Sequence, residues 1–251
     1  MHIRYYKEYS YNLNRDMEFK VYGHAGKPCV VFPCQDGQFY DFENRGMIDT
    51  IADKIEQGRI QLFCIQCVDK ESWSDTWGDQ HNRIVQHENW VNYVCNEFIP
   101  RLYQIHNETA KENYQGKVMT TGASMGAYHA LNFLLRRPDI FDTTLCLSGL
   151  YHASYFFKNY NDPLIYHNSP VDYVRNMHFD HPYVEAYRHC DIIICCGQGA
   201  WEDEAKVDGA ILKEQFERLQ VPAWIDFWGE DVAHDWPWWI IQFPYFIDKL
   251  V

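Results

Sequence analysis

Gly122-Ala123-Ser124-Met125-Gly126 sets a serine between two glycines. The apolar run Val118–Thr121 precedes it, and Ala127, Leu131, Leu134 and Leu135 follow at i, i+4, i+7 and i+8. The run reads as a buried strand and the spacing as a helix, so the serine occupies a strand–turn–helix element. A sharp turn there lifts Oγ above the sheet. Glycines at −2 and +2 let strand and helix approach without Cβ clashes. The N–H of Met125, the following residue, would face the oxyanion formed when Ser124 attacks a carbonyl.

A serine nucleophile needs a base, and the base needs an acid to orient it. Pro222–Trp228 reads as a last strand, Gly229 to Asp235 as its loop, and Trp236–Val251 as a closing helix with Pro237 in its first turn. His234 then stands at the carboxyl edge of the sheet, where open α/β sheets bind ligands. His129 is nearer in sequence, but it lies on the helix leading away from Ser124. The acid is expected after the strand Asp191–Cys196, in Gly197-Gln198-Gly199-Ala200-Trp201-Glu202-Asp203-Glu204. Glu202 is the first choice and Asp203 the second. Adjacent carboxylates also suit a helix N-terminus without any role in chemistry. A second oxyanion donor is expected in the loop Pro33 to Phe39, after the strand Cys29–Phe32. The backbone N–H of Gln38 is the candidate, with Gly37 permitting the turn; Asp36-Gly37 also reads as a plain turn.

The elements around these residues alternate. Cys29–Phe32, Ile60–Ile65, Val118–Thr121, Leu145–Leu147 and Ile192–Cys196 suit strands buried on both faces. Between them, Ile48, Ile51, Ala52 and Ile55 carry helical spacing, stopped by Gly58. Val91, Val94, Cys95 and Phe98 repeat it, and Pro100 is expected to end or kink that helix. Leu212, Phe216 and Leu219 give a later helix. The alternation predicts an α/β fold: a mostly parallel central sheet with helices on both faces. Residues 1–25 add antiparallel edge strands. No repeat or linker divides the chain, so residues 1–251 are expected to form a single domain. Residues 151–189 break the rhythm with Tyr151, Tyr155, Phe156, Phe157, Tyr160, Tyr166, Tyr173, Phe179, Tyr183 and Tyr187. This stretch reads as a cap-like, aromatic-rich insertion over one end of the sheet. It suggests a pocket for a planar acyl group such as a phenolic ester, to which Trp73, Trp77 and Trp236 are further lining candidates.

Composition excludes several classes. The chain of 251 residues is 47% hydrophobic and 23% charged, a globular balance. A net charge of −13 argues against nucleic-acid and anionic-membrane partners. No apolar run reaches the length of a membrane span. Met1 to Tyr6 shows no apolar signal region, and nine cysteines form an odd set. Both point to reduced thiols in the cytoplasm. Cys64 and Cys67 are spaced CxxC, but a strand sends them to opposite faces, so they read as packing residues and no metal is expected. No cofactor is implied, and the oligomeric state is not legible.

With these residues in hand, the chain resembles the esterase family of the α/β-hydrolase superfamily. That family includes S-formylglutathione hydrolase, enterochelin esterase, feruloyl esterase and mycolyltransferase relatives. The likeness rests on Gly122 to Ala130, on His234-Asp235-Trp236-Pro237-Trp238-Trp239 and on Phe32 to Gly37. It implies the α/β-hydrolase fold, a serine–acid–histidine triad and an oxyanion hole of two backbone N–H groups. Mapped here, these are Ser124, Glu202, His234, Met125 and Gln38. Many relatives carry Asp where Glu202 stands, which leaves Glu202 and Asp203 both open. The expected activity is hydrolysis of a small carboxylic ester. An acyltransferase using an alcohol in place of water, or a non-catalytic binding protein of the same fold, are the alternatives.

Overall fold

Strands β1 (Ile3–Ser10), β2 (Arg15–Tyr22), β3 (Lys27–Phe32), β4 (Ile60–Ile65), β5 (Val118–Ala123), β6 (Phe141–Leu147), β7 (Asp191–Cys196) and β8 (Ala223–Phe227) form one sheet in the order β1-β2-β4-β3-β5-β6-β7-β8. This comes from a computed structural model that describes residues 1–158 and 161–251. Tyr160 therefore lies outside the described residues. β1 pairs antiparallel with β2, and β2 with β4; from β4 across to β8 every pair is parallel. The expected antiparallel strands of residues 1–25 are thus at one edge.

Alternation along each strand feeds two cores. Val30 and Phe32 of β3 face one side, and Cys29 and Val31 the other. In chain order the helices are α1 (Asp41–Asn44), α2 (Ala52–Glu56), α3 (Gln80–Tyr93), α4 (Ile99–Ala110), α5 (Met125–Arg136), α6 (Pro163–Tyr166), α7 (Pro170–Asn176), α8 (Pro182–Tyr187), α9 (Asp203–Arg218) and α10 (Trp236–Leu250). The apolar side chains of α1, α2 and α10 meet Cys29 and Val31, and those of α3 to α9 meet Val30 and Phe32. The fold class is therefore α/β, with helices on both faces.

The regular α-helix is interrupted next to Pro100: α3 passes through a π turn at Val94–Phe98 into α4, where Pro100 sits in the first turn. The wider turn accommodates the proline ring and its missing N–H. The stretch 151–189 lies between β6 and β7. Parallel β6 and β7 require a crossover, and this stretch supplies it on the α5 face. Its helices α6, α7 and α8 are short, and buried aromatics supply much of the packing. Tyr151, Phe157, Tyr173 and Tyr187 all enter the core, and Tyr173 O–H donates to Asn132 Oδ1 at 3.0 Å. Among the described residues no helix is long and apolar enough to cross a membrane.

Candidate active site

Ser124 sits where β5 turns into α5, with φ +55° and ψ −123°. Its N–H donates to Leu147 O at 2.8 Å, and its C=O accepts from Ala127 and Tyr128, starting the helix. A left-handed φ is costly for a residue with a Cβ, and such strain is characteristic of an exposed nucleophile. The flanking glycines have measurable reasons. A Cβ on Gly122 would lie 2.4 Å from the Gly126 carbonyl carbon, and one on Gly126 would lie 2.3 Å from Phe32 O.

The acid and base loops are fastened together by backbone hydrogen bonds. Gln198 N–H donates to Gly229 O, Gly199 N–H to Val232 O, and His234 N–H to Ala200 O. Glycine is needed where they touch: a Cβ on Gly197 would stand 2.0 Å from Val232 O. This pairing, followed by the turn into α10 capped by Asp235, aims His234 at Ser124. Ser124 Oγ lies 2.9 Å from His234 Nε2, across 110 residues of sequence. On the other side of the ring, Glu202 Oε2 lies 3.5 Å from Nδ1. For Nε2 to accept the serine proton, the imidazole proton belongs on Nδ1, facing the carboxylate. The arrangement can take a proton from serine and hold the resulting imidazolium against a carboxylate.

Glu202 is fully buried, while Asp203 is exposed and pairs with Lys206. Glu202 Oε1 accepts from Ser148 Oγ at 2.5 Å and from Gly197 N–H at 3.2 Å. Ser148 in turn accepts from Trp239 Nε1 at 2.9 Å, and the Trp239 ring meets His234 edge to face at 5.1 Å. Sequence reasoning did not single out Ser148. Its signal was a polar residue at the carboxyl end of the strand beside the nucleophile strand.

Other candidates fall elsewhere. The Met125 N–H, in the first turn of α5, has no hydrogen-bond partner among the described residues. The Gln38 N–H, by contrast, donates to Asp41 Oδ2 at 2.8 Å. It is therefore engaged within its own loop rather than free. In the same loop the N–H groups of Gln35 and Asp36 have no partner among the described residues. His129 Nε2 lies 3.0 Å from Asp69 Oδ1, and both residues are buried away from Ser124. Trp73 is buried against Tyr128 and Phe157, Trp77 is exposed, and Trp236 packs on Phe42 and Trp239. The aromatics of the crossover line a groove of about 420 Å³ with Leu135 and Arg136. That is the far end of α5, roughly 16 Å along the helix from Ser124. This groove is therefore separate from Ser124. Burial pushes the Cys34 thiol up to about 12 and Cys64 well above its ordinary value. Neither is an activated nucleophile. Among the described residues no three His, Cys, Asp or Glu side chains are grouped to hold a metal.

The Esterase family matches residues 10–247. The chain belongs to this family. As an esterase it is a carboxylic ester hydrolase, and its fold has solved relatives along its whole length. A ferulic acid esterase is 16% identical, with a TM-score of 0.72, over 100% of this chain and 98% of the other. The S-formylglutathione hydrolase of Staphylococcus aureus is 14% identical, with a TM-score of 0.66, over 99% and 96%. MPT51 of Mycobacterium tuberculosis is 12% identical, with a TM-score of 0.73, over 100% and 98%. No curated protein matches the esterase sequence.

Proposed function

We propose that residues 1–251 act as a single serine esterase domain that hydrolyses small carboxylic esters through an acyl-enzyme on Ser124. The observation that carries this reading is the imidazole of His234 between Ser124 Oγ, 2.9 Å away, and Glu202 Oε2, 3.5 Å away. Ser124 Oγ attacks the ester carbonyl as its proton passes to His234 Nε2. Glu202 keeps the Nδ1 proton in place and offsets the imidazolium charge. The Met125 N–H and a donor from the Gln35–Asp36 stretch stabilise the tetrahedral oxyanion. The imidazolium protonates the leaving alkoxide, and the alcohol departs. His234 then takes a proton from water, which attacks the acyl carbonyl; the intermediate collapses, the imidazolium returns that proton to Ser124 Oγ as its bond to the acyl carbon breaks, and the carboxylic acid leaves.

No cofactor or metal enters these steps. The substrate is a small molecule, and the cytoplasm is the proposed compartment. A fluorophosphonate probe followed by peptide mapping tests the nucleophile. Covalent label on the Ser124 peptide is expected. An unlabelled wild-type protein, or label confined to another residue, contradicts the reading.

A further inference from the structure

We infer that Ser148 and Trp239 are positioning residues that hold Glu202 in the orientation and charge state the proposed reaction requires. The inference rests on the reading of Ser124, His234 and Glu202 given above. Indole Nε1–H can only donate, and it donates to Ser148 Oγ at 2.9 Å. The single Ser148 proton is therefore left for Glu202 Oε1, 2.5 Å away. Gly197 N–H is a second donor to the same oxygen. Both groups facing Oε1 donate, which suits a carboxylate. They leave Oε2 as the oxygen that faces His234 Nδ1.

The parts are rigid. Ser148 follows β6 with φ +53°, and its N–H is fixed to Cys195 O at 2.7 Å. Trp239 is buried in the core formed by α10, and its ring edge also rests on His234. One indole thus contacts the base directly and reaches the acid through a hydroxyl. Ser148 is itself fully buried, so removing its hydroxyl leaves Oε1 with a single donor. A carboxylate with fewer donors holds imidazolium more tightly and is free to turn.

The test compares wild type, Ser148→Ala, Ser148→Gly, Trp239→Phe and the Ser148→Ala/Trp239→Phe double variant. Glycine suits the positive φ at 148 and removes the same hydroxyl, so a misfolded alanine variant does not end the experiment. Each protein is checked by circular dichroism. Hydrolysis of p-nitrophenyl acetate is then measured from pH 5 to 9, beside the rate of fluorophosphonate labelling.

The Ser148 variants are expected to lose about 10- to 100-fold in kcat, the size of a lost hydrogen bond to a charged group, with KM changed by less than about twofold. The acid limb of kcat/KM moves to higher pH. Trp239→Phe keeps an aromatic ring for the His234 contact and removes only the indole donor; it loses about 3- to 10-fold, and the double variant is no worse than Ser148→Ala, because the lost donor acts through the Ser148 hydroxyl. Folded Ser148 variants with wild-type kcat and an unmoved acid limb overturn the inference, as does a multiplicative loss in the double variant. A wild-type protein that neither turns over ester nor takes the probe removes the underlying reading of Ser124, and this inference with it. An active wild type with unaffected variants removes this inference alone.

Discussion

Glu202 and Asp203 are adjacent, yet one is fully buried behind His234 and the other is exposed in the first turn of α9. The difference comes from the tight pairing of the loop at 197–200 with the loop at 229–234, which turns Glu202 inward at the end of its own loop. Glu202→Gln keeps the shape and removes the charge. It is expected to lower kcat by about 10³- to 10⁴-fold, as loss of a triad carboxylate does. Asp203→Asn should stay within about twofold of wild type. Steady-state kinetics on one ester settles the assignment, and equal losses in both variants would count against it.

The loop after β3 carries the next prediction. A Cβ on Gly37 would lie 2.7 Å from both Asp41 Oδ2 and Cys34 O. Gly37→Ala therefore displaces the Asp41 carboxylate that caps the loop through Gln38, and with it the free N–H groups of Gln35 and Asp36. A fall in kcat of about 10- to 1000-fold is expected, up to the cost of one lost oxyanion donor. The melting temperature should change much less than for Gly126→Ala, whose Cβ meets backbone at 2.3 Å. Unchanged kcat in Gly37→Ala would place the second donor elsewhere.

The buried polar cluster behind α5 predicts an acid sensitivity. His87 accepts from Trp73 Nε1 at Nδ1, and its Nε2 faces Asn168 Oδ1. Burial, then the nearby His129 and Arg136, hold its pKa well below the ordinary 6.5. The unfolded chain therefore binds a proton that the folded one refuses. This stabilising contribution is complete above about pH 6.5 and is lost as pH falls below it toward the folded value. Denaturant unfolding at pH 7 and pH 5 should show His87→Gln with a shallower pH slope, by up to about 1.4 kcal/mol per pH unit. Parallel slopes in the two proteins would exclude His87 as a source.

Substrate preference should be insensitive to the crossover aromatics. Phe157→Leu removes buried ring surface beside Trp73 and is expected to cost about 1–3 kcal/mol of stability. The ratio of kcat/KM for feruloyl and acetyl esters should remain within about twofold of wild type. A selective loss of feruloyl turnover would return this stretch to the acyl site.

These outcomes trace how much of the site was legible in sequence. The element around Ser124 was readable because its constraints are local: two glycines, a buried strand and a helix within a few residues. His234 was readable from its place after the last strand. The engagement of the Gln38 N–H is not legible, because it depends on the Asp41 side chain folding back onto the loop. Ser148 and Trp239 were not legible as a pair, since they meet across 91 residues through one hydroxyl. The crossover aromatics are legible as a dense set of rings, but the sequence does not show which side of α5 they face.

The central claim is that Ser124 carries the acyl group. Its most direct test is hydrolysis of p-nitrophenyl acetate and butyrate by wild type and Ser124→Ala side by side, with matched circular dichroism. The account predicts turnover in the wild type and none above background in the variant. Turnover that survives in the alanine variant would contradict it.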